Sequence, residues 1–145
     1  MSEQQPRGLK QMKISKIKRD TNAVVDGVWV TGVIDDLDVK VASTDSRKYT
    51  DSLRVALKPY QRNLKNMENE KFAEIQNKVM AKYLLLDWRN MFDENDQPIP
   101  YSSEKALEFL NDPEMADFRE TILNLASEQE LFRKEALAEL ATKSE

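Results

Sequence analysis

The sequence predicts an α+β fold, with a small antiparallel sheet of two or three strands near the N-terminus and a mostly helical part of about five helices after it. Three observations predict it. Between Met12 and Ala42 apolar residues alternate with polar ones, as a half-buried strand requires. From Phe72 onward they recur every three or four positions, and cap residues punctuate that second region. At 145 residues there is room for one core rather than two. Residues 12–145 therefore read as a single domain, β-rich over 12–42 and helical over 43–145, behind a flexible N-terminus at 1–11.

The strand region divides into three runs. Met12, Ile14 and Ile17 alternate with lysines; Val28 and Val30 bracket Trp29; Leu37, Val39 and Val41 alternate with Asp38 and Lys40. Asp26-Gly27 and Ile34-Asp35-Asp36 carry turn chemistry between the runs. So small a sheet cannot stand alone and must pack on the helices or on a partner.

Ser43, Thr44 and Asp45 offer caps to a helix whose apolar positions are Tyr49, Leu53, Ala56 and Leu57, and Pro59 ends it near Lys58. After a polar bridge at 63–70, Phe72, Ile75, Val79, Tyr83 and Leu86 form one stripe of a helix that ends with Trp88 in its last turn. An acidic loop, Asp93-Glu94-Asn95-Asp96, is closed by Pro98 and Pro100 before Ser102 caps a short helix through Leu107, Phe109 and Leu110. Asp112-Pro113-Glu114 starts the next, with Met115, Phe118, Ile122 and Leu125 as its stripe. Ser127-Glu128-Gln129-Glu130 matches a capping box, flanked by Ala126 and Leu131. It leads into a last helix through Phe132, Ala136 and Leu140 that frays at Thr142–Glu145. No internal repeat is visible.

The composition narrows the chemistry. The chain has no cysteine and no histidine, which removes thiolate zinc sites, disulfides and the Ser-His-Asp and Cys-His mechanisms. Neither a P-loop nor a dinucleotide-binding glycine motif occurs. A net charge of −4 argues against a dedicated nucleic-acid binder. No apolar run is long enough for a membrane span, and the N-terminus lacks the apolar core of a secretory signal, so a cytosolic setting is expected. No cofactor and no enzymatic activity are expected.

Several clusters invite a site. The acidic loop imitates a calcium loop, with Asn95 and Glu104 at ligand spacings from Asp93, but Pro98 stands where the sharp turn needs glycine; a solvated turn explains it better. Asp35, Asp36 and Asp38 imitate a paired-carboxylate site, yet turn chemistry accounts for them without catalysis. Lys10, Lys13, Lys16, Lys18 and Arg19 are the best case for phosphate contact, but no aromatic residue accompanies them and a solvated strand face suffices.

Partner contact has better candidates. Leu84-Leu85-Leu86-Asp87-Trp88 makes a helical turn apolar on both faces, so Leu85 and Trp88 are either core or contact. Trp29 faces away from Val28 and Val30 on a regular strand, toward a partner or toward the helical layer. Phe92, Phe118 and Phe132 complete the set of candidate partner-binding residues.

Four places in the chain resemble the tail assembly chaperones of long-tailed, siphovirus-type bacteriophages. They are Gly27-Val28-Trp29-Val30; Leu37–Ala42 with the helix ending Leu57-Lys58-Pro59-Tyr60-Gln61-Arg62; Leu85-Leu86-Asp87-Trp88 with the loop through Ser102 and Ala106–Leu110; and the closing helices with Phe118 and Phe132-Arg133. Where the family's loop would carry glycine near Asp96, this chain has Asn95-Asp96, which also tolerate positive φ. The resemblance implies a non-catalytic protein of the host cell cytoplasm. It would bind the phage tape measure protein, and in some settings the major tail (tube) protein, keeping the tape measure soluble while the tube polymerises. Self-association is compatible with it. The other role in keeping with a phage tail is a structural protein of the terminator or connector type, retained in the virion.

Overall fold

The computed structural model describes residues 8–143, with side chains as far as residue 138. Residues 1–7 of the expected flexible N-terminus, the side chain of Leu140 and the last two residues of the expected frayed end lie outside that range. The fold is α+β. Among the described residues it holds α1 (Thr21–Asp26), β1 (Val28–Ile34), β2 (Leu37–Val41), α2 (Arg47–Leu57), α3 (Asn69–Tyr83), β3 (Leu85–Arg89), α4 (Ser103–Asn111), α5 (Ala116–Ser127) and α6 (Lys134–Lys143). Short 3₁₀ segments at Ile14–Lys16, Lys58–Asn66, Pro113–Met115 and Gln129–Phe132 link them.

The sheet runs β1-β2-β3, antiparallel throughout. Alternation in β2 is as the sequence predicts: Leu37, Val39 and Val41 are buried, with Asp38 and Lys40 between them on the outer face. Asp35, with φ of 51°, makes the turn from β1, a conformation that aspartate tolerates better than most residues.

Two expectations are corrected in the N-terminal part. Met12, Ile14 and Ile17 do not lie in a strand; they are exposed on a 3₁₀ turn and its flanks. The run after them, expected to lead to a turn at Asp26-Gly27, is the helix α1. Asp20 is its N-cap, accepting from the Asn22 and Ala23 amides at 3.0 and 3.1 Å. Gly27 closes that helix at φ of 89°. A Cβ there would come 2.8 Å from Leu86 Cδ1 and 3.1 Å from the Val41 carbonyl oxygen, so only glycine lets α1 turn directly into β1.

The main correction concerns Leu85–Trp88. The helix stops at Tyr83, and the next residues form β3 rather than its last turn. The physical reason is a bulge. Val39 pairs with Trp88 and Lys40 with Asp87, but Val41 pairs with Leu85, so β3 spends one extra residue, Leu86. On a regular strand, positions three apart point to opposite faces. The extra residue restores parity and turns both Leu85 and Trp88 into the core.

The helices follow their caps. Ser102 Oγ accepts from the Lys105 amide at 3.0 Å to start α4, and Asp112 Oδ1 accepts from the Glu114 amide at 2.9 Å to start the turn before α5. Of the three residues expected to cap α2, none is its N-cap; that position is Ser46, and Ser43 Oγ caps a turn instead, accepting from the Asp45 amide at 3.0 Å. The expected capping box at Ser127–Glu130 is not formed: Ser127 ends α5, and a 3₁₀ turn carrying Phe132 intervenes before α6.

The core lies between the inner face of the sheet and α3, α4 and α5, around Val39, Val41, Met80, Leu84, Leu85, Ile122 and Phe132. Segments far apart in sequence close it. The Ala42 amide donates to Leu84 O and that of Thr44 to Ala126 O, both at 2.9 Å, while Asp20 N–H donates to Phe132 O at 2.8 Å.

Candidate interaction surface

Burial divides the six candidate contact residues. Leu85, Trp88, Phe118 and Phe132 are core, the most exposed of them retaining 5% of its surface. They have no face to offer a partner in this conformation. Trp88 and Phe118 join one aromatic cluster: Trp88 stacks on Phe109 with centroids 5.5 Å apart and meets Tyr101 edge-on at 4.9 Å, and Phe109 in turn meets Phe118 at 6.4 Å. Tyr101 donates its hydroxyl to Leu85 O at 2.6 Å. Burial, reinforced by the carboxylates of Asp87 and Glu104, pushes that phenol up to about 12.

Trp29 and Phe92 keep surface. Trp29 lies on the outer face of the sheet under a lid, the Arg89 guanidinium 3.9 Å above its ring. Arg89 Nε also donates to Asp38 Oδ2 at 2.9 Å, and Asp38 Oδ1 accepts from the Gly32 amide at 3.0 Å. The hydrogen bond from Arg89 and then that from Gly32 hold the Asp38 carboxyl below its ordinary range. Trp29 is thus engaged within the sheet. Phe92 is 52% exposed at the base of the acidic loop. The loop is itself ordered, with Asp93 Oδ1 accepting from the Asn95 and Gln97 amides at 2.8 and 2.9 Å and Asp96 at φ of 60°.

Apolar surface also lies elsewhere, on the N-terminal segment, where Leu9 and Ile14 are 73% and 65% exposed, and on α2. Tyr49 faces the core, but Val55, about 120° round the helix from it, is 64% exposed. Two grooves flank it. One, of about 570 Å³, runs between α2 and the Lys58–Asn66 segment and is lined by Leu53, Val55, Leu57 and Leu64. The other, of about 400 Å³, runs between α2 and the C-terminal half of α3, over Val55, Ala56, Val79 and Tyr83. The first exists because Pro59 stops the α-helix and the chain continues in 3₁₀ turns kinked at Asn63, which leaves Leu64 at the surface. The sequence held a signal for this surface: Val55 and Leu64 are apolar residues off the helical stripe, set among basic neighbours.

Charge around the grooves is one-sided. Arg54 and Lys58 border the first, Lys78 and Lys82 the second, and Asp51 is the acid among them. Asp51 is paired with Arg54 at 3.2 Å, while Lys58, Lys78 and Lys82 have no ion pair among the described residues. Residues 47–65 carry six basic side chains against one acid, on a chain of net charge −4.

A polar chain crosses the helical layer and has no counterpart in the sequence analysis. Gln76 donates to Tyr49 Oη at 3.0 Å, Arg119 donates to Gln76 Oε1 at 2.7 Å and to Asn77 Oδ1 at 2.6 Å, and Asn77 donates to Leu110 O at 3.0 Å. It satisfies the buried Asn77 and ties α2, α3, α4 and α5 together. Among the described residues no group of three or more acidic side chains could hold a metal ion, and no helix is long and apolar enough to cross a membrane.

Comparison with known proteins carries the phage part of the resemblance but no tail assembly role. No curated protein and no solved structure matches the chain. A family model described as YdaY prophage protein matches residues 44–143, from just before α2 to the end of α6. That stretch is more than half the chain and holds both grooves, the Trp88 cluster and the polar chain: the protein belongs to the YdaY prophage protein family.

Proposed function

We propose that this phage protein is a tail assembly chaperone, a non-catalytic protein that binds the tape measure protein and keeps it soluble while the tail tube forms. The observation that carries the reading is the apolar surface around Val55, where two adjoining grooves of about 570 and 400 Å³ meet. A tape measure is a long helix with an apolar stripe, and a helix in a groove is a standard way to cover one. Release when tube subunits arrive requires moderate rather than extreme affinity, which a shallow groove provides.

Co-expression tests this. The tape measure of the same prophage should stay in the supernatant with the wild-type chain and pellet with Val55→Glu, whose melting temperature should match wild type because the side chain is exposed. Mass spectrometry of purified particles gives the opposing arm: peptides of this chain at fixed stoichiometry would make it a tail structural protein instead.

A further inference from the structure

The basic border of the Val55 grooves says which stripe would fit. We propose that the segment seated there is an amphipathic helix whose apolar face is flanked by glutamate and aspartate. This rests on the shielding role argued above and names the chemistry of the partner.

The charge pattern carries it. Arg54 and Lys58 stand on one side of Val55, Lys78 and Lys82 on the other, and three of these four are unpaired among the described residues. A solvated lysine costs the free protein nothing, so Lys58, Lys78 and Lys82 are not needed for the fold. They do impose a preference, because docking a helix between them brings its flanks within a Debye length of like or unlike charge. A stripe flanked by lysine would meet repulsion on both sides. A stripe flanked by carboxylates gains attraction on both sides and is steered in from a distance.

Shape agrees with charge. Val55 forms a ridge between the two grooves, so a helix laid across α2 can place one apolar side chain in each and straddle the ridge at a spacing of i and i+3 or i+4. One exposed acidic and apolar stretch of this chain, Phe92 with Asp93, Glu94 and Asp96, sits on a hydrogen-bonded loop rather than a helix, and so cannot supply that spacing.

Fluorescence anisotropy with the full chain tests the proposal. Two labelled helical peptides of about 20 residues share one leucine stripe, with glutamates flanking it in one and lysines in the other. The glutamate peptide should bind at least about tenfold more tightly at low salt, and the preference should shrink as salt rises. Val55→Glu should abolish binding, and the double change Lys58→Glu with Lys82→Glu should reverse the preference without moving the melting temperature. Equal binding of both peptides, no binding of either, or binding that survives Val55→Glu would overturn it. So would displacement of the glutamate peptide by a single-stranded DNA oligonucleotide, which would make the cationic border a nucleic-acid contact. Failure here remains separable from failure of the shielding role. Lost charge preference with tape measure solubility still dependent on Val55 ends this inference alone; solubility indifferent to Val55→Glu ends the shielding role at this surface.

Discussion

The indole N–H of Trp88 donates to the carbonyl of Ile99 at 2.8 Å, and this bond fastens the far end of the acidic loop to the middle of β3. With Phe109 stacked on one side and Tyr101 against its edge, the ring has its polar and apolar needs met inside the fold. Trp88→Ala should therefore destabilise the protein by about 3–5 kcal/mol. Trp29→Ala, which loses mainly its contact with Arg89, should cost about 1 kcal/mol. Denaturant melts of the two variants check the difference, and a Trp88→Ala protein as stable as wild type would make that ring a surface contact.

Arg119 makes its hydrogen bonds to amide oxygens, with no carboxylate within ion-pair distance among the described residues. Arg119→Met strands Asn77 Oδ1 in a buried site and should cost about 1–3 kcal/mol. Adding Asn77→Leu removes the stranded group along with its partner. The double variant should lose less than the two single losses combined, and a double-mutant cycle measures that shortfall.

Ser46 is fully buried at the start of α2, and its hydroxyl has neither a capping bond nor any other hydrogen-bond partner among the described residues. Ser46→Ala removes a desolvated polar atom and sacrifices no cap, so stability should hold or rise by about 1 kcal/mol. Calorimetry reads the shift in melting temperature. A large loss would mean that the hydroxyl is satisfied by bound water.

Tyr101 gives the fold an alkaline limit. Its phenol is held up to about 12, against 10.0 for the unperturbed group, so the folded state keeps a proton that the unfolded chain releases. Fewer protons on the unfolded chain mean that stability falls as pH rises through the window from 10 toward 12. Tyr101→Phe should flatten that part of the profile, while losing about 1 kcal/mol at neutral pH with the bond to Leu85 O. Urea midpoints taken from pH 8 to pH 11.5 compare the two proteins.

The parts legible in the sequence are those where one local signal decides. Leu37, Val39 and Val41 alternate in β2 and do so in the sequence; Ser102 and Asp112 cap as their residue types suggest. Leu85–Trp88 was not legible. A bulged strand that buries residues three apart has the spacing of a helix, and the pairing that reveals it lies more than forty residues back, at Val39–Val41. In α1, a single turn and a half capped by Asp20 lacks the length for a periodic signal. The Val55 surface was hidden for another reason. An apolar residue on the polar side of a helix is common, and it becomes a groove only when the chain beyond Pro59 folds back beside it.

The pairing of β2 with β3 ties two stretches of unequal kinship. β3 lies inside the part shared with the YdaY relatives, while β2 ends at Val41, three residues before that part begins at position 44. Trimmed to the shared stretch, a recombinant fragment would present β3 with a bare row of amides and carbonyls and leave Leu85 and Trp88 without the valines that roof them. Such a fragment should go into inclusion bodies, and supplying residues 8–43 as a separate peptide should draw it back into solution.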